Sequence, residues 1–116
     1  MERLGAADFD GTQLRRSGTW AVAFLADWCP FCRAFRRLFD RFDGAGAFRT
    51  AVADVTDEAS PLWDRFHIEV VPTLLAFRDG PVIHRIDGVP MEGLQEGDLE
   101  NLRGTLTLRP GRGPPA

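Results

Sequence analysis

The strongest constraint on the fold is an apolar segment that leads directly into a pair of cysteines. Residues 19 to 26 read Thr-Trp-Ala-Val-Ala-Phe-Leu-Ala, an almost unbroken apolar run. Such a run is typical of a strand that is buried on both faces of a partly parallel sheet. Cys29 and Cys32 follow it and are the only cysteines among the 116 residues. We therefore expect a central strand that ends just before Cys29, where a helix begins.

The segment after the cysteines has the apolar spacing of an amphipathic helix. Apolar side chains recur at i, i+3, i+4 and i+7, with arginine and aspartate between them, in Phe35, Leu38, Phe39 and Phe42. The helix is predicted to end near Gly44.

A second buried strand is predicted over residues 48 to 55. Ser60 and Pro61 then supply an N-cap and a first-turn proline for a short helix that ends near Phe66. The alternation of strand and helix implies a right-handed crossover.

Two short strands, residues 73 to 78 and 82 to 87, are predicted to pair antiparallel because Asp79 and Gly80 between them are typical of a hairpin turn. A last helix is predicted to begin between Glu92 and Asp98 and to end near Leu106, with Leu99, Leu102 and Leu106 turned inward.

The ends of the chain are predicted to differ in structure. Residues 8 to 17 are interpreted as a short helix that stops at Gly18. The tail, residues 109 to 116, is rich in proline and glycine and is predicted to be disordered. Residues 1 to 108 are predicted to form one domain.

Length and charge exclude several classes of protein. A chain of 116 residues with net charge -3 fits one small domain and lacks the basic balance of a nucleic-acid binder. The largest basic cluster falls on one predicted helix and is interpreted as a solvated face: Arg33, Arg36, Arg37 and Arg41. No segment approaches the roughly 20 apolar residues that span a bilayer. We expect a soluble, cytoplasmic protein that binds neither nucleic acid nor membrane.

The two cysteines are predicted to be reactive. A thiol at the start of a helix faces unpaired backbone N–H groups and the positive end of the helix dipole, which favour its thiolate. A structural disulfide is a poor explanation for this spacing, because closing so small a ring removes little chain entropy.

Taken together, these motifs resemble the thioredoxin family over roughly residues 6 to 106. The motifs are a strand leading into Ala-Asp-Trp-Cys-Pro-Phe-Cys at residues 26 to 32, Val-Val-Pro-Thr at residues 70 to 73, and a hairpin with Asp79-Gly80 followed by Gly88. The resemblance implies a three-layer α/β/α sandwich with a central mixed sheet of four to five strands.

The family resemblance also implies roles for individual residues. Cys29 would be the exposed nucleophile and Cys32 the buried resolving thiol. Pro72 would follow a cis peptide bond and place the Val71 backbone beside the sulfurs, where an extended substrate segment can pair with it. The implied docking surface consists of Trp28, Pro30, Phe31, Val71, Pro72 and Gly88. For Trp28, a packing role remains an equal alternative.

The dipeptide between the cysteines departs from the family pattern. It is Pro-Phe instead of Gly-Pro, closer to the Pro-Tyr of glutaredoxins. With Pro30 in the first helical position, the N–H groups of Phe31 and Cys32 both stay free to reach the Cys29 sulfur. We therefore expect the dithiol to be favoured and the disulfide to be a somewhat stronger oxidant. Because the glycine-rich run of glutaredoxins is missing, glutathione dependence is not expected.

A second departure concerns the proton acceptor for Cys32. The family usually buries an Asp six residues before the first cysteine, and this chain has Ala23 there. One interpretation is that Asp54, on the neighbouring predicted strand, is desolvated, has a raised pKa and acts as a general base toward Cys32. The alternative is that Asp54 points to solvent at the strand end. Asp27, His67 and His84 are interpreted as surface residues.

The sequence is compatible with three functions. The leading one is a thiol-disulfide oxidoreductase without a cofactor other than the Cys29–Cys32 disulfide, acting as a monomer on protein disulfides and recharged by a reductase or a small thiol. The others are a binding module that keeps the fold, and a zinc or iron-sulfur site completed by a dimer, because two cysteines cannot fill a four-sulfur site. The long link from residue 88 to 97 is expected to influence partner choice.

Overall fold

A computed structural model describes residues 1–107, and these form a central sheet with helices on both faces. A short 3-10 helix spans Ala6–Asp8. The strands are β1 (Glu2–Leu4), β2 (Phe9–Asp10), β3 (Gln13–Leu14), β4 (Thr19–Leu25), β5 (Arg49–Asp54), β6 (Thr73–Arg78) and β7 (Val82–Asp87). The helices are α1 (Pro30–Phe39), α2 (Leu62–Arg65) and α3 (Glu96–Leu106).

The main sheet is mixed and has five strands in the order β1-β5-β4-β6-β7. Strand β5 pairs parallel with both β1 and β4, and β6 pairs antiparallel with both β4 and β7. The predicted fold class, a three-layer sandwich around a mixed sheet, is confirmed. Strand β4 is central, as its apolar run predicts.

Alternation along β4 divides the core between the two faces of the sheet. Ala21, Ala23 and Leu25 join one buried cluster, which also holds both cysteines and the inner sides of α1 and α3. The alternate residues Trp20, Val22 and Phe24 join a second cluster with α2 and the β2–β3 hairpin. Because successive side chains of a strand point to opposite faces, a strand buried on both faces must be apolar throughout.

The N-terminal segment is not the predicted helix. Strands β2 and β3 form a two-stranded hairpin, with Phe9 opposite Leu14, and Gly11 at the turn has a φ of 59°. Asp10-Gly11 is a hairpin signal, and pairing turns the side chains of Phe9 and Leu14 into the second cluster. The three-residue strand β1 was not predicted, because its stability comes from pairing with β5 and not from a local apolar pattern.

The other predicted elements hold within a few residues. Helix α1 ends at Phe39 instead of near Gly44, although Phe42 beyond it stays buried. Helix α2 begins at Leu62 with Pro61 as its N-cap, one residue later than predicted, and the Ser60 hydroxyl accepts a hydrogen bond from the Leu62 amide at 3.3 Å. The predicted disordered tail lies outside the described residues. Within residues 1–107, no helix is long and apolar enough to cross a membrane.

Candidate active site

Both cysteines lie at the junction of β4 and α1. Cys29 is the N-cap of α1 in extended conformation, and Pro30 occupies the first turn, where a missing N–H breaks no helical hydrogen bond. The Cys32 amide donates to the Cys29 sulfur at 3.4 Å. The Phe31 amide, predicted as a second donor, does not bond to this sulfur: within residues 1–107 the Cys32 amide alone donates to it. The N-cap geometry presents a sulfur to the positive end of the helix.

The two sulfurs are free thiols and both are buried. Cys29 is 5% exposed and Cys32 is 2% exposed. The prediction that Cys29 is exposed is therefore wrong. Its side chain lies against the start of α1, and its Sγ donates to the Val71 carbonyl at 3.6 Å. Cys29 still lines a surface groove, so a partner can reach it from one side.

Cys32 is held as a neutral thiol. Burial raises the pKa of Cys32 to about 12, and the Ala26 amide, which donates to its sulfur at 3.5 Å, offsets this only in part. Residue 23, which is fully buried in the same cluster as both cysteines, is an alanine, so the carboxylate that the family usually has six residues before the first cysteine is missing. The two thiols therefore differ in environment: one caps a helix, and the other is enclosed by it.

The segment before β6 forms the second side of the site. The Val71–Pro72 peptide bond is cis, and the Thr73 hydroxyl donates to the Val70 carbonyl at 2.8 Å. Pro72 and Gly88 are both buried. A Cβ at Gly88 would lie 2.4 Å from the Pro72 carbonyl oxygen, so Gly88 supports this segment from behind and offers no surface of its own.

An apolar groove of about 260 Å³ runs past Cys29. Trp28 forms part of its wall and is 50% exposed. Its indole N–H donates to the Thr56 carbonyl at 2.9 Å, and its ring stacks on Trp63 with centroids 6.4 Å apart. The packing and binding interpretations of Trp28 are thus compatible, because one edge is anchored while half of the ring remains exposed.

The groove is also lined by residues that were not predicted to belong to the docking surface. They are Trp63, Glu69, Val70, Val89, Pro90 and Met91. Met91 is 82% exposed and Val89 is 52% exposed. The long link after β7 was the available signal for Val89, Pro90 and Met91. Val89 and Gly93 pair through two backbone hydrogen bonds, and a Cβ at Gly93 would lie 3.0 Å from that of Phe31, so this turn packs directly on the cysteine loop.

The structure contradicts the prediction that Asp54 is desolvated. Its side chain is 32% exposed at the end of β5, and its carboxylate accepts a hydrogen bond from the Thr56 amide at 2.9 Å. Hydrogen bonding from the Thr56 side chain, followed by that from the Thr56 amide and smaller contributions from Arg3 and Arg36, lowers the pKa of Asp54. A carboxylate that is ionised and bound in this way is poorly suited to accept the Cys32 proton.

The two histidines lie outside the site, and Asp27 lies at its edge. His67 is exposed, as predicted, whereas His84 is partly buried, and its Nε2 is buried without a hydrogen-bond partner among residues 1–107. The Asp27 side chain is exposed, and its backbone amide donates to the Thr56 hydroxyl at 2.9 Å. The described part of the chain contains no group of three or more His, Cys, Asp or Glu side chains placed to hold a metal ion.

Comparison with known proteins agrees with this geometry. A thioredoxin domain-containing protein of Theileria parva is 35% identical over 116 residues, covering 95% of this chain and 50% of that relative. A thioredoxin of Rhodospirillum rubrum is 28% identical over 83 residues, covering 71% of this chain and 80% of the relative. An H-type thioredoxin of Oryza sativa subsp. indica is 26% identical over 105 residues, covering 84% and 83%.

The chain spans half the length of the Theileria relative. The family model described as thioredoxin matches residues 2–97, which is most of the chain. These residues include the cysteine pair, the Val71–Pro72 segment and all five strands of the main sheet in full. The protein therefore belongs to the thioredoxin family.

Proposed function

We propose that the protein is a thiol-disulfide oxidoreductase that exchanges disulfides with protein substrates through Cys29 and Cys32. The observation that carries this proposal is the position of the Cys29 sulfur. It caps α1, lies 3.4 Å from the Cys32 amide and 3.6 Å from the Val71 carbonyl, and lines the groove. Membership of the thioredoxin family supports the same chemistry at the family level.

Cys29 is the attacking group in this mechanism. The unpaired N–H groups at the start of α1 and the helix dipole stabilise negative charge on its sulfur. The thiolate attacks one sulfur of a substrate disulfide, and the other substrate sulfur leaves as a thiolate that takes a proton from water. The product is a mixed disulfide between Cys29 and the substrate.

Cys32 completes the exchange. It loses its proton and attacks the Cys29 sulfur, which breaks the mixed disulfide and releases the second substrate thiolate. The Cys29–Cys32 disulfide forms, and two electrons have passed to the substrate. A reductase or a small thiol then restores the dithiol, so the protein uses no cofactor beyond its own disulfide.

The groove and the Val71 backbone supply the docking surface. An extended substrate segment lying along residues 70 to 72 can pair with the backbone there, while its apolar side chains contact Trp28, Phe31 and Met91. The substrate sulfur is thereby placed next to Cys29. We propose further that the protein acts as a monomer in the cytoplasm.

Reduction of insulin disulfides tests the proposal. The wild-type chain should reduce insulin in the presence of dithiothreitol, and Cys29→Ser should abolish the activity. Cys32→Ser should retain the attack by Cys29 and accumulate a mixed disulfide that is visible on a non-reducing gel. If the wild type does not reduce insulin and the Cys32→Ser variant does not form this adduct, the results would favour a binding module instead.

A further inference from the structure

The two sulfurs open onto different spaces. Cys29 lines the apolar groove, whereas Cys32 lines a separate surface cavity of about 180 Å³. The lining of this cavity consists of Leu25, Ala26, Asp27, Cys32, Arg33 and Arg36. A cavity of this size holds several water molecules. A proton leaving Cys32 can therefore reach solvent without crossing the substrate groove.

Arg33 provides an unpaired positive charge at this cavity. Its Nη1 donates to the Asp27 carbonyl at 2.9 Å, which holds the guanidinium against the loop that follows β4. Among residues 1–107 it forms no ion pair with a carboxylate, whereas the other arginine of the cavity, Arg36, pairs with Asp40 at 3.1 Å. The charge of Arg33 is thus available to Cys32.

The charged groups near Cys32 come from three elements. Helix α1 supplies Arg33 and Arg36, and the segment after β4 supplies Asp27. On β5, Asp54 pairs in register with Leu25 of the cavity wall. The Asp54 carboxylate is bound to the Thr56 amide. Burial raises the pKa of Cys32, and Arg33 is the cation that acts in the opposite direction.

We propose that Arg33 is a positioning residue for the second step of the reaction: its charge stabilises the Cys32 thiolate, and the Cys32 cavity carries the released proton to water. The inference rests on the proposed function. Proton loss converts the Cys32 thiol to a thiolate and gives the proton to water or buffer in the cavity. The thiolate then attacks the Cys29 sulfur, and the bond from Cys29 to the substrate sulfur breaks. This chain thereby uses a cation at the cavity where Asp54 was expected to act as a base.

Two-step reaction with dithiodipyridine, a neutral disulfide probe, separates the two cysteines. Attack by Cys29 releases a first thiopyridone at a rate proportional to the probe concentration. Attack by Cys32 on the mixed disulfide releases a second thiopyridone at a rate that does not depend on it. Stopped-flow absorbance resolves both phases, and a neutral probe removes any effect of Arg33 on the approach of a charged reagent.

The Arg33→Gln variant should slow the second phase about threefold to fivefold at neutral pH and leave the first phase within about twofold, as expected for one exposed charge. Its pH profile should move to higher pH, because removing a cation lowers the thiolate fraction of Cys32 at every pH below its pKa. Arg33→Lys should restore most of the rate. The matched control is Arg37→Gln, an exposed arginine of the same helix that does not line the cavity.

Salt provides a second measurement on the unmodified protein. Raising the ionic strength should slow the second phase of the wild type and should have little effect on Arg33→Gln, because mobile ions screen an exposed charge. Equal second-phase rates in Arg33→Gln and Arg37→Gln, or a wild-type phase that salt does not change, would overturn the inference. Release of a single thiopyridone by the wild type would instead refute the proposed function.

Discussion

Gly88→Ala tests whether the position of the Pro72 segment controls the reactivity of the site. A Cβ at residue 88 would lie 2.4 Å from the Pro72 carbonyl oxygen, and ordinary contact begins at 3.4 Å, so the two must separate by about 1 Å. Overpacking of this kind costs about 1–3 kcal/mol of folding free energy. The displaced segment carries the Val71 carbonyl that contacts the Cys29 sulfur. A shift of about 1 Å in a reacting group can lower a rate up to about 100-fold.

The measurements are urea unfolding and the insulin reduction rate. Gly104→Ala is the matched control, since residue 104 lies within α3 with open space around its would-be Cβ. That variant should be more stable by up to about 1 kcal/mol, because alanine favours a helix, and fully active. A Gly88→Ala protein as stable and as active as the wild type would refute the argument that close packing behind Pro72 sets the geometry of the site.

Three further predictions concern residues around the cysteines. Asp54→Asn should leave the rates of disulfide reduction unchanged across pH. Because folding lowers the pKa of Asp54, its carboxylate stabilises the wild type at pH values above the ordinary carboxyl pKa, and this stability is lost as the pH falls through the pKa of the folded state. In urea unfolding, the variant should lack this contribution to the loss of stability at low pH. A rate that falls on this substitution would return Asp54 to the mechanism. Trp28→Ala should raise the KM for insulin while leaving the first dithiodipyridine phase within about twofold, since it removes the groove wall and not the nucleophile; equal KM values would assign Trp28 to packing alone. The double variant Pro30→Gly, Phe31→Pro moves the missing N–H from residue 30 to residue 31; although the Phe31 amide does not bond to the Cys29 sulfur, its loss should weaken the positive potential at the start of α1 and make the potential against a glutathione buffer more reducing. An unchanged potential would show that the Phe31 amide adds nothing to the stability of the Cys29 thiolate.

Much of the site could be predicted because its chemistry is local in sequence. The cysteine spacing, the proline after Cys29 and the apolar run before it together specify a strand that ends in a capped helix, and the structure has this arrangement. The hairpin between β6 and β7 was predicted for the same reason, since Asp79-Gly80 defines its turn. Local patterns succeed where neighbouring residues alone decide the backbone conformation.

The N-terminal segment shows where local patterns failed. Residues 8 to 17 have the composition of a polar helix, yet they form a hairpin because Phe9 and Leu14 bury their side chains against aromatic residues from β4, α2 and β6. Strand β1 likewise depends on the edge that β5 offers. Such contacts join residues far apart in the chain, so tertiary packing decides them.

The sequence by itself determined that this chain carries a dithiol at the start of a helix, because the identity and spacing of Cys29 and Cys32 are properties of a few adjacent residues. The tertiary structure alone decided the surroundings of each sulfur. It placed Cys29 against the Val71 carbonyl and Cys32 beside the cavity with Arg33, and it bound Asp54 to the Thr56 amide. The physical reason is that desolvation and charge act through space, and the groups that supply them here come from different elements that only the folded chain brings together.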